Sequence, residues 1–280
     1  MKLIKPSFAI WEQPAGLQGV YKQIEKAGRI CYKSEDKITE DSAKPFVDRM
    51  IASKHLAMCE HGTLYFKIPA NIGVANSFLD ESSTWTKCKH IVCSEGNWWA
   101  ITTNLRVMIE HFAPEYIEEL IEKYLCEPTK YHEKRITVHF VCDRGVSHEF
   151  VRHRMFSFAQ ESTRYCNYSK DKFGNELTYI LPCWWKDEEG NAAEAEFCNS
   201  LQHAEEQYFF LLNQGWTPQQ ARAILPNSLK TELVMTGFVN DWKHFFDLRA
   251  MGTTGAPHPQ ARELAIPLSE EFFNRKYMLN

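Results

Sequence analysis

Long apolar runs are missing from this chain. No stretch approaches the roughly 18 apolar residues that a membrane-spanning helix needs. The opening MKLIKPSFAIWEQPAG lacks the apolar core of a secretory signal. A soluble, cytoplasmic protein with no membrane partner is expected. An excess of basic charge is missing too. The net charge is -4, which argues against general affinity for DNA or RNA, since binders of nucleic acid usually carry a basic surface. A local basic site for a small anion stays open. Glycine-rich phosphate cradles are absent. There is neither a G-x-G-x-x-G turn nor a P-loop, so any bound nucleotide has to be held by side chains. The G-x-S-x-G elbow of serine hydrolases is absent as well.

Paired cysteine motifs are also missing. The nine cysteines are Cys31, Cys59, Cys88, Cys93, Cys126, Cys142, Cys166, Cys183 and Cys198. They are scattered and odd in number, which argues for reduced thiols rather than a disulfide framework. KCKHIVC groups Cys88, His90 and Cys93. A structural zinc site usually takes four ligands in two pairs, and no second pair is present, so no metal is expected. The simpler reading is a half-buried strand with small thiols. No cysteine has an obviously activating setting, although Cys166 lies near the basic cluster described below.

What is present is ample for a sizeable core: 280 residues, 44% of them hydrophobic. LIKPSFAIWE alternates as a strand, and a helix follows from Gly16 to Tyr32. Thr39 or Asp41 is placed to cap a second helix, SAKPFVDRMIASKH. GTLYFKIP and ITVHFVCD read as strands, the latter stopped at Gly145, and WWAITTN as extended chain. LRVMIEHF and YIEELIEKYL have helical periodicity. VSHEFVRHR reads as a helix with Val146, Phe150 and Val151 inward. EFCNSLQHAEEQYFFLLNQG is a long helix ended by Gly215. In TPQQARAILP, Thr217, Pro218 and Gln220 form a helix start. SLKTELVMTGF reads as a strand and VNDWKHFFDLRAM as a helix. After the loop MGTTGAPHPQ comes a last helix containing ARELAIPLSEEFF. Irregular alternation of strands and helices, with no repeat or linker, predicts a single α+β domain over residues 1–280.

Chemistry concentrates in RHRMFSFAQESTRY, residues 152–165. Arg152, His153 and Arg154 are consecutive, and adjacent cations repel unless solvent or an anion compensates. On a helix they point about 100° apart and cannot share one surface. Guanidinium forks suit phosphate and carboxylate oxygens. The hydroxyl-rich and amide-rich FAQESTRY suits an irregular loop wrapping a phosphate. The competing reading is a solvated helix end. HLAMCEHG carries His55, Glu60 and His61 without the HExxH spacing of a zinc protease, and a solvated loop is its simpler reading. Asn240 and His244 share a helix face at i, i+4. Arg249 lies beyond them, rotated away. Arg222 has the bland reading of a wet helix face.

These residues resemble the signature of the flavin-dependent thymidylate synthases. Arg152-His153-Arg154 is followed after seven residues by Ser162 and then Thr163-Arg164-Tyr165. CDRGVSHEFVRHR and CNYSKDKFGNE resemble one branch of that family, and ARAILP and FFDLRA match further blocks in order. His55, Glu60 and His61 match an upstream block. The resemblance implies an α/β subunit of α+β type, a sheet flanked by helices, assembled as a homotetramer with shared sites. It implies conversion of dUMP to dTMP, with 5,10-methylenetetrahydrofolate as carbon donor, NADPH as reductant and FAD as hydride source. Flavin contacts fall on His55, Arg152, His153, Arg154, Gln160, Asn240 and His244. Contacts to dUMP fall on Glu149, Arg152, Gln160, Glu161, Ser162, Thr163, Arg164, Arg222 and Arg249. Arg249 would lie by the uracil and favour ionisation at N3.

The chain departs from the family pattern at Ala159 and Gln160, where Asn-Glu is common, at Glu149, where Gln is common, and at Asn240, where other members carry Arg. Residues 72–135 look like an insertion. Two other readings remain: a related flavoenzyme acting on another pyrimidine nucleotide, and a non-catalytic nucleotide- or RNA-binding protein.

Overall fold

The computed structural model of the chain describes residues 1–72, 89–93, 97–170, 173–188 and 190–278. The stretch expected as one N-terminal strand is two, β1 (Lys2–Ile4) and β2 (Ser7–Trp11). Pro6 has no N–H to give a ladder, and the chain changes sheets across it. Helix α1 (Gly16–Tyr32) has the predicted bounds and buries Val20, Ile24, Ala27 and Ile30 along one stripe. Helix α2 (Ala43–Ala52) starts after Ser42, not after Thr39 or Asp41. The Ser42 hydroxyl accepts the Thr39 N–H and donates to the buried Glu25 carboxylate of α1, at 2.8 Å each. A tertiary bond therefore decides the boundary.

Strands β3 (Thr63–Pro69), β4 (Lys89–Cys93) and β5 (Trp98–Asn104) form an antiparallel sheet in the order β3-β5-β4. The side chains of the Cys88, His90 and Cys93 group lie outside the described residues. Helices α3 (Leu105–His111) and α4 (Pro114–Tyr124) follow. Asn104 caps α3 by accepting the Val107 N–H. Ile24, Phe46, Leu64, Phe66, Ile101 and Met108 make the core of this half.

The second, four-stranded sheet is antiparallel in the order β2-β6-β9-β7, with β6 (Arg135–Asp143), β7 (Ser157–Gln160) and β9 (Lys230–Phe238). Strand β6 ends at Asp143, as the ITVHFVCD pattern has it, but the stop is Asp143 itself, which caps helix α5 (Arg144–Phe150) by accepting the Val146 N–H at 2.7 Å, and Gly145 lies within that helix. Helix α5 is shorter than the VSHEFVRHR pattern suggests. Arg152, His153 and Arg154 lie beyond it in a turn, and Val151 is exposed rather than inward. The start of FAQESTRY is not loop but edge strand β7, paired with β9 from Ser157↔Thr236 to Gln160↔Leu233.

A short strand β8 (Thr178–Ile180) pairs in parallel with β1. The long helix α6 (Ala192–Asn213) and short α7 (Pro218–Ala221) cover that region. At α7 the Gln220 side chain accepts the Thr217 N–H at 2.9 Å, as its sequence predicts. Helix α8 (Val239–Phe246) runs into a π-helical turn, Asp247–Met251, and α9 (Pro259–Asn274) closes the fold. Among the described residues no helix is long and apolar enough to cross a membrane.

Alternation along β6 and β9 gives the larger sheet two unlike faces. Val138, Phe140, Leu233 and Met235 point to Phe150, Trp242, Phe245 and Phe272 from the helices. On the other face Ala159 and Val234 meet Ala27 and Ile30 of α1. Gly237 leaves room for Phe156, since a Cβ there would lie 2.6 Å from the Phe156 ring. Phe156 meets Trp242 edge to face at 4.7 Å and so seats the turn carrying His153. Gly237→Ala is expected to cost about 1–3 kcal/mol in urea unfolding, as overpacking does. An unchanged midpoint would show that Phe156 yields without loss.

Candidate active site

The first group of predicted residues meets where α5 ends and α8 passes into its π-helical turn. Adjacent cations at Arg152, His153 and Arg154 are accommodated by a turn, not a helix. Hydrogen bonds from His153 N–H to Phe150 O and from Phe156 N–H to His153 O shape it. Only His153 goes inside, at 7% exposure. Its ring centroid lies 5.0 Å from that of Phe245 and 6.0 Å from that of His244. Arg152 and Arg154 stay exposed, and no ion pair or side-chain hydrogen bond engages them among the described residues.

Arg249 joins this group through the π-helical turn, in which the Gly252 N–H reaches back to Asp247 O. Such wide turns shift helix faces and recur at functional sites. Arg249 was expected to point away from His244, yet both line one cavity of about 240 Å³ with Arg152, His153, Arg154 and Asp241. Arg249 donates from Nε to His153 Nε2 at 3.0 Å, and from its two terminal nitrogens to Glu149 Oε2 and Glu149 O, at 2.8 Å each. A guanidinium has five N–H donors. Three are used among the described residues, which leaves two for a ligand.

The bond from Arg249 fixes the imidazole. His153 Nε2 accepts, so in the neutral ring the proton sits on Nδ1. Burial first, then the charges of Arg249 and His244, push the His153 pKa down to about 4, with Glu149 opposing. The cavity therefore presents a neutral imidazole beside a fixed cation. Asn240 is exposed on α8 and does not line this cavity.

The second group surrounds the turn after β7. Gln160 Nε2 donates to Ser147 Oγ at 2.9 Å and Thr231 Oγ1 at 3.2 Å, tying β7 to α5. Glu161 turns inward at 2% exposure. It accepts from Tyr168 Oη at 2.9 Å and Lys230 Nζ at 2.8 Å. Its carboxylate is not presented to solvent. Ser162 N–H donates to Cys31 O, and Ser162 Oγ accepts the Arg164 N–H. Arg222 donates to Thr163 Oγ1 at 3.3 Å. Arg164 and Arg222 are exposed beside these hydroxyls.

His55 stands in a third place. It is exposed at the rim of a separate cleft of about 430 Å³, shared with Cys31, Tyr32, Met58, Arg106 and Glu110. Glu60 and His61 are buried, so HLAMCEHG is more than a solvated loop. Glu60 accepts from Arg106 at 2.6 Å, and His61 Nδ1 is 2.8 Å from Thr236 Oγ1. Arg106 and Glu110 of helix α3 line this cleft. The Tyr32 and Tyr165 rings, 5.3 Å apart, connect the cleft to the second group.

Sequence reasoning missed a buried charge network beneath the second group. Glu232 is bonded to Lys230 at 2.6 Å, Lys33 at 2.7 Å and His139 at 2.8 Å. Burial opposes its ionisation, and the hydrogen bond from His139 with the charges of Lys230 and Lys33 overrides this, holding Glu232 far below the usual carboxylate range. Burial likewise opposes charge on Lys230, and Glu161 with Glu232 raises its pKa instead. The one signal in the sequence was an acidic residue inside an apolar strand, TELVMTGF.

The profile of the family described as "Thymidylate synthase complementing protein" matches residues 93–275. A flavin-dependent thymidylate synthase of Corynebacterium aurimucosum is 34% identical over 136 residues, covering 44% of this chain and 51% of that protein. Another, from Pyrococcus horikoshii, is 34% identical over 135 residues, covering 48% and 53%. The chain spans about half the length of these curated relatives. A solved UMP/dUMP methylase PolB from Streptomyces cacaoi, bound with 5-Br dUMP, aligns over 98% of this chain and 93% of its own, at 15% identity and a TM-score of 0.47.

The His153 environment sets a pH dependence. Its folded pKa of about 4 lies below the ordinary 6.5, so between these values the unfolded chain binds more protons. The contribution of this group to stability is complete above the ordinary value and is lost as the pH falls through about 4. NMR titration of the His153 ring is expected to show a midpoint near 4. A midpoint at the ordinary value would mean that neither burial nor Arg249 acts on it.

Proposed function

The chain belongs to the thymidylate synthase complementing protein family, and we propose that it converts dUMP to dTMP with a flavin. The observation that carries this reading is the neutral His153 bonded to Arg249, flanked by the guanidiniums of Arg152 and Arg154, which are unpaired among the described residues. The group lies within the matched residues 93–275. Its donors fit a flavin nucleotide, with guanidiniums for the phosphates and a flat neutral ring for the heterocycle. FAD reduced by NADPH would supply the hydride, and 5,10-methylenetetrahydrofolate the carbon.

The chain's own residues bind, orient and polarise. The two free donors of Arg249 favour loss of the N3 proton from the uracil, which enriches C5 as the attacking carbon. A fixed cation in a partly dry site stabilises such charge. Glu149 holds Arg249 in place and tempers its charge. Ser162, Thr163, Arg164 and Arg222 suit the phosphate monoester, with Gln160 holding the strand that leads to them. Arg152, His153, Arg154 and His244 take the flavin, with His55 and Asn240 meeting other parts of it. Among the described residues, the cavity at His153 and the cleft at His55 share no lining residue within one chain. This supports a homotetramer in which one copy completes the site of another. Residues 1–280 are read as one cytoplasmic domain with an insertion at 72–135, and of that insertion Arg106 and Glu110 line the His55 cleft.

The test is dTMP formation without oxygen from dUMP, 5,10-methylenetetrahydrofolate and NADPH, with and without FAD. Product that requires FAD is expected. Arg249→Ala is expected to lower kcat about 10²–10³-fold, as loss of one charge-stabilising donor does, while flavin remains bound. Turnover at the original rate in that variant would remove the role given to Arg249. Bound flavin and dUMP without product would point to another pyrimidine nucleotide as substrate. Binding of neither would leave the family's reaction unsupported for this chain.

A further inference from the structure

Residues 161–168 form a closed loop whose two ends are bonded to each other. The Tyr168 hydroxyl donates to Glu161 Oε1 at 2.9 Å. Both side chains are buried, at 6% and 2% exposure. Lys230 Nζ donates to Glu161 Oε2 at 2.8 Å and to Glu232 Oε1 at 2.6 Å. The Glu161 N–H donates to Glu232 O at 2.8 Å. Lys33, the residue that caps α1, reaches the same Glu232 oxygen. Inside the loop, Tyr165 N–H and Cys166 N–H both donate to Ser162 O. Ser162, Thr163 and Arg164 therefore sit on a turn whose base is clamped by a buried chain of alternating charges.

We infer that Glu161 is a positioning residue. Through Lys230 and Tyr168 it holds the Ser162–Arg164 turn in the one geometry that presents those groups, with Arg222, to a phosphate monoester. The inference rests on the assignment of that turn to the nucleotide phosphate. A buried carboxylate with two donors has few alternative positions, because each escape takes from Lys230 one of its two carboxylate partners or from the Tyr168 hydroxyl its acceptor in a dry site. With an apolar residue at 161 the turn keeps its sequence but loses its anchor. The phosphate contacts would then be averaged over several loop positions.

The experiment compares the full chain with Glu161→Leu and Lys230→Met, using dUMP and, as a probe without phosphate, 2′-deoxyuridine. Both variants are expected to raise KM for dUMP about tenfold or more, as misplaced binding groups do. Flavin affinity, kcat and calorimetric affinity for deoxyuridine stay as in the original chain. Glu161→Gln, which can still accept one of the two bonds, recovers part of the loss. Unchanged KM, or equal losses for dUMP and deoxyuridine, would overturn the inference, since a merely structural defect spares neither ligand. Should Glu161→Leu not fold, Tyr168→Phe removes a single hydroxyl and is read by the same comparison. If the original chain makes no dTMP, the proposed reaction fails on its own. The clamp is then read from dUMP affinity alone, where a loss in Glu161→Leu supports it and an equal affinity overturns it.

Discussion

The register of β9 between β6 and β7 is the constraint on which the rest depends. Nine consecutive pairs join β6 to β9, and four join β7 to β9. A slip of one residue would send every side chain of β9 to the opposite face. Leu233 and Met235 would then leave the aromatic core that seats His153. Glu232 would leave the cations that hold the loop after β7. Both halves of the candidate site thus hang on one strand, from opposite faces.

The two faces solve opposite problems. The apolar one gathers Phe140, Phe150, Trp242, Phe245 and Phe272, and hydrophobic burial holds α5, α8 and α9 against the sheet. From that support His153 can be kept dry and neutral beside Arg249. The other face buries ions, which is costly unless each is paired. Lys33, Lys230, Glu161 and Glu232 meet that demand as an alternating chain. Removing Lys230 would leave the buried Glu161 carboxylate without its cation, so the network specifies loop position more than it adds stability.

Much of the fold was legible because it rests on local periodicity. The bounds of α1 follow from its apolar stripe, and the start of α7 from Thr217, Pro218 and Gln220. Where expectation and structure part, a distant partner intervenes. Ser42 starts α2 because Glu25 of α1, 17 residues earlier, accepts its hydroxyl. The apolar pattern ran through Val151, yet α5 stopped before the arginines, where three consecutive cationic or titratable groups needed separate directions. The site was legible as residue types in order. Arg249 was not legible as a neighbour of His153, because a π-helical turn resets the helix face.

The sequence by itself determined the amphipathic elements, the absence of a glycine-rich phosphate cradle and the set of arginines and hydroxyls available to bind an anion. These depend on residue type and short spacing. Tertiary structure alone decided which of those groups are charged, buried or presented. His153 is neutral because its surroundings are dry and Arg249 is 96 residues away in sequence. Glu161 faces inward because Lys230 waits 69 residues further on. Burial and Coulomb energy act through space, and no local spacing encodes which distant residue will supply the partner.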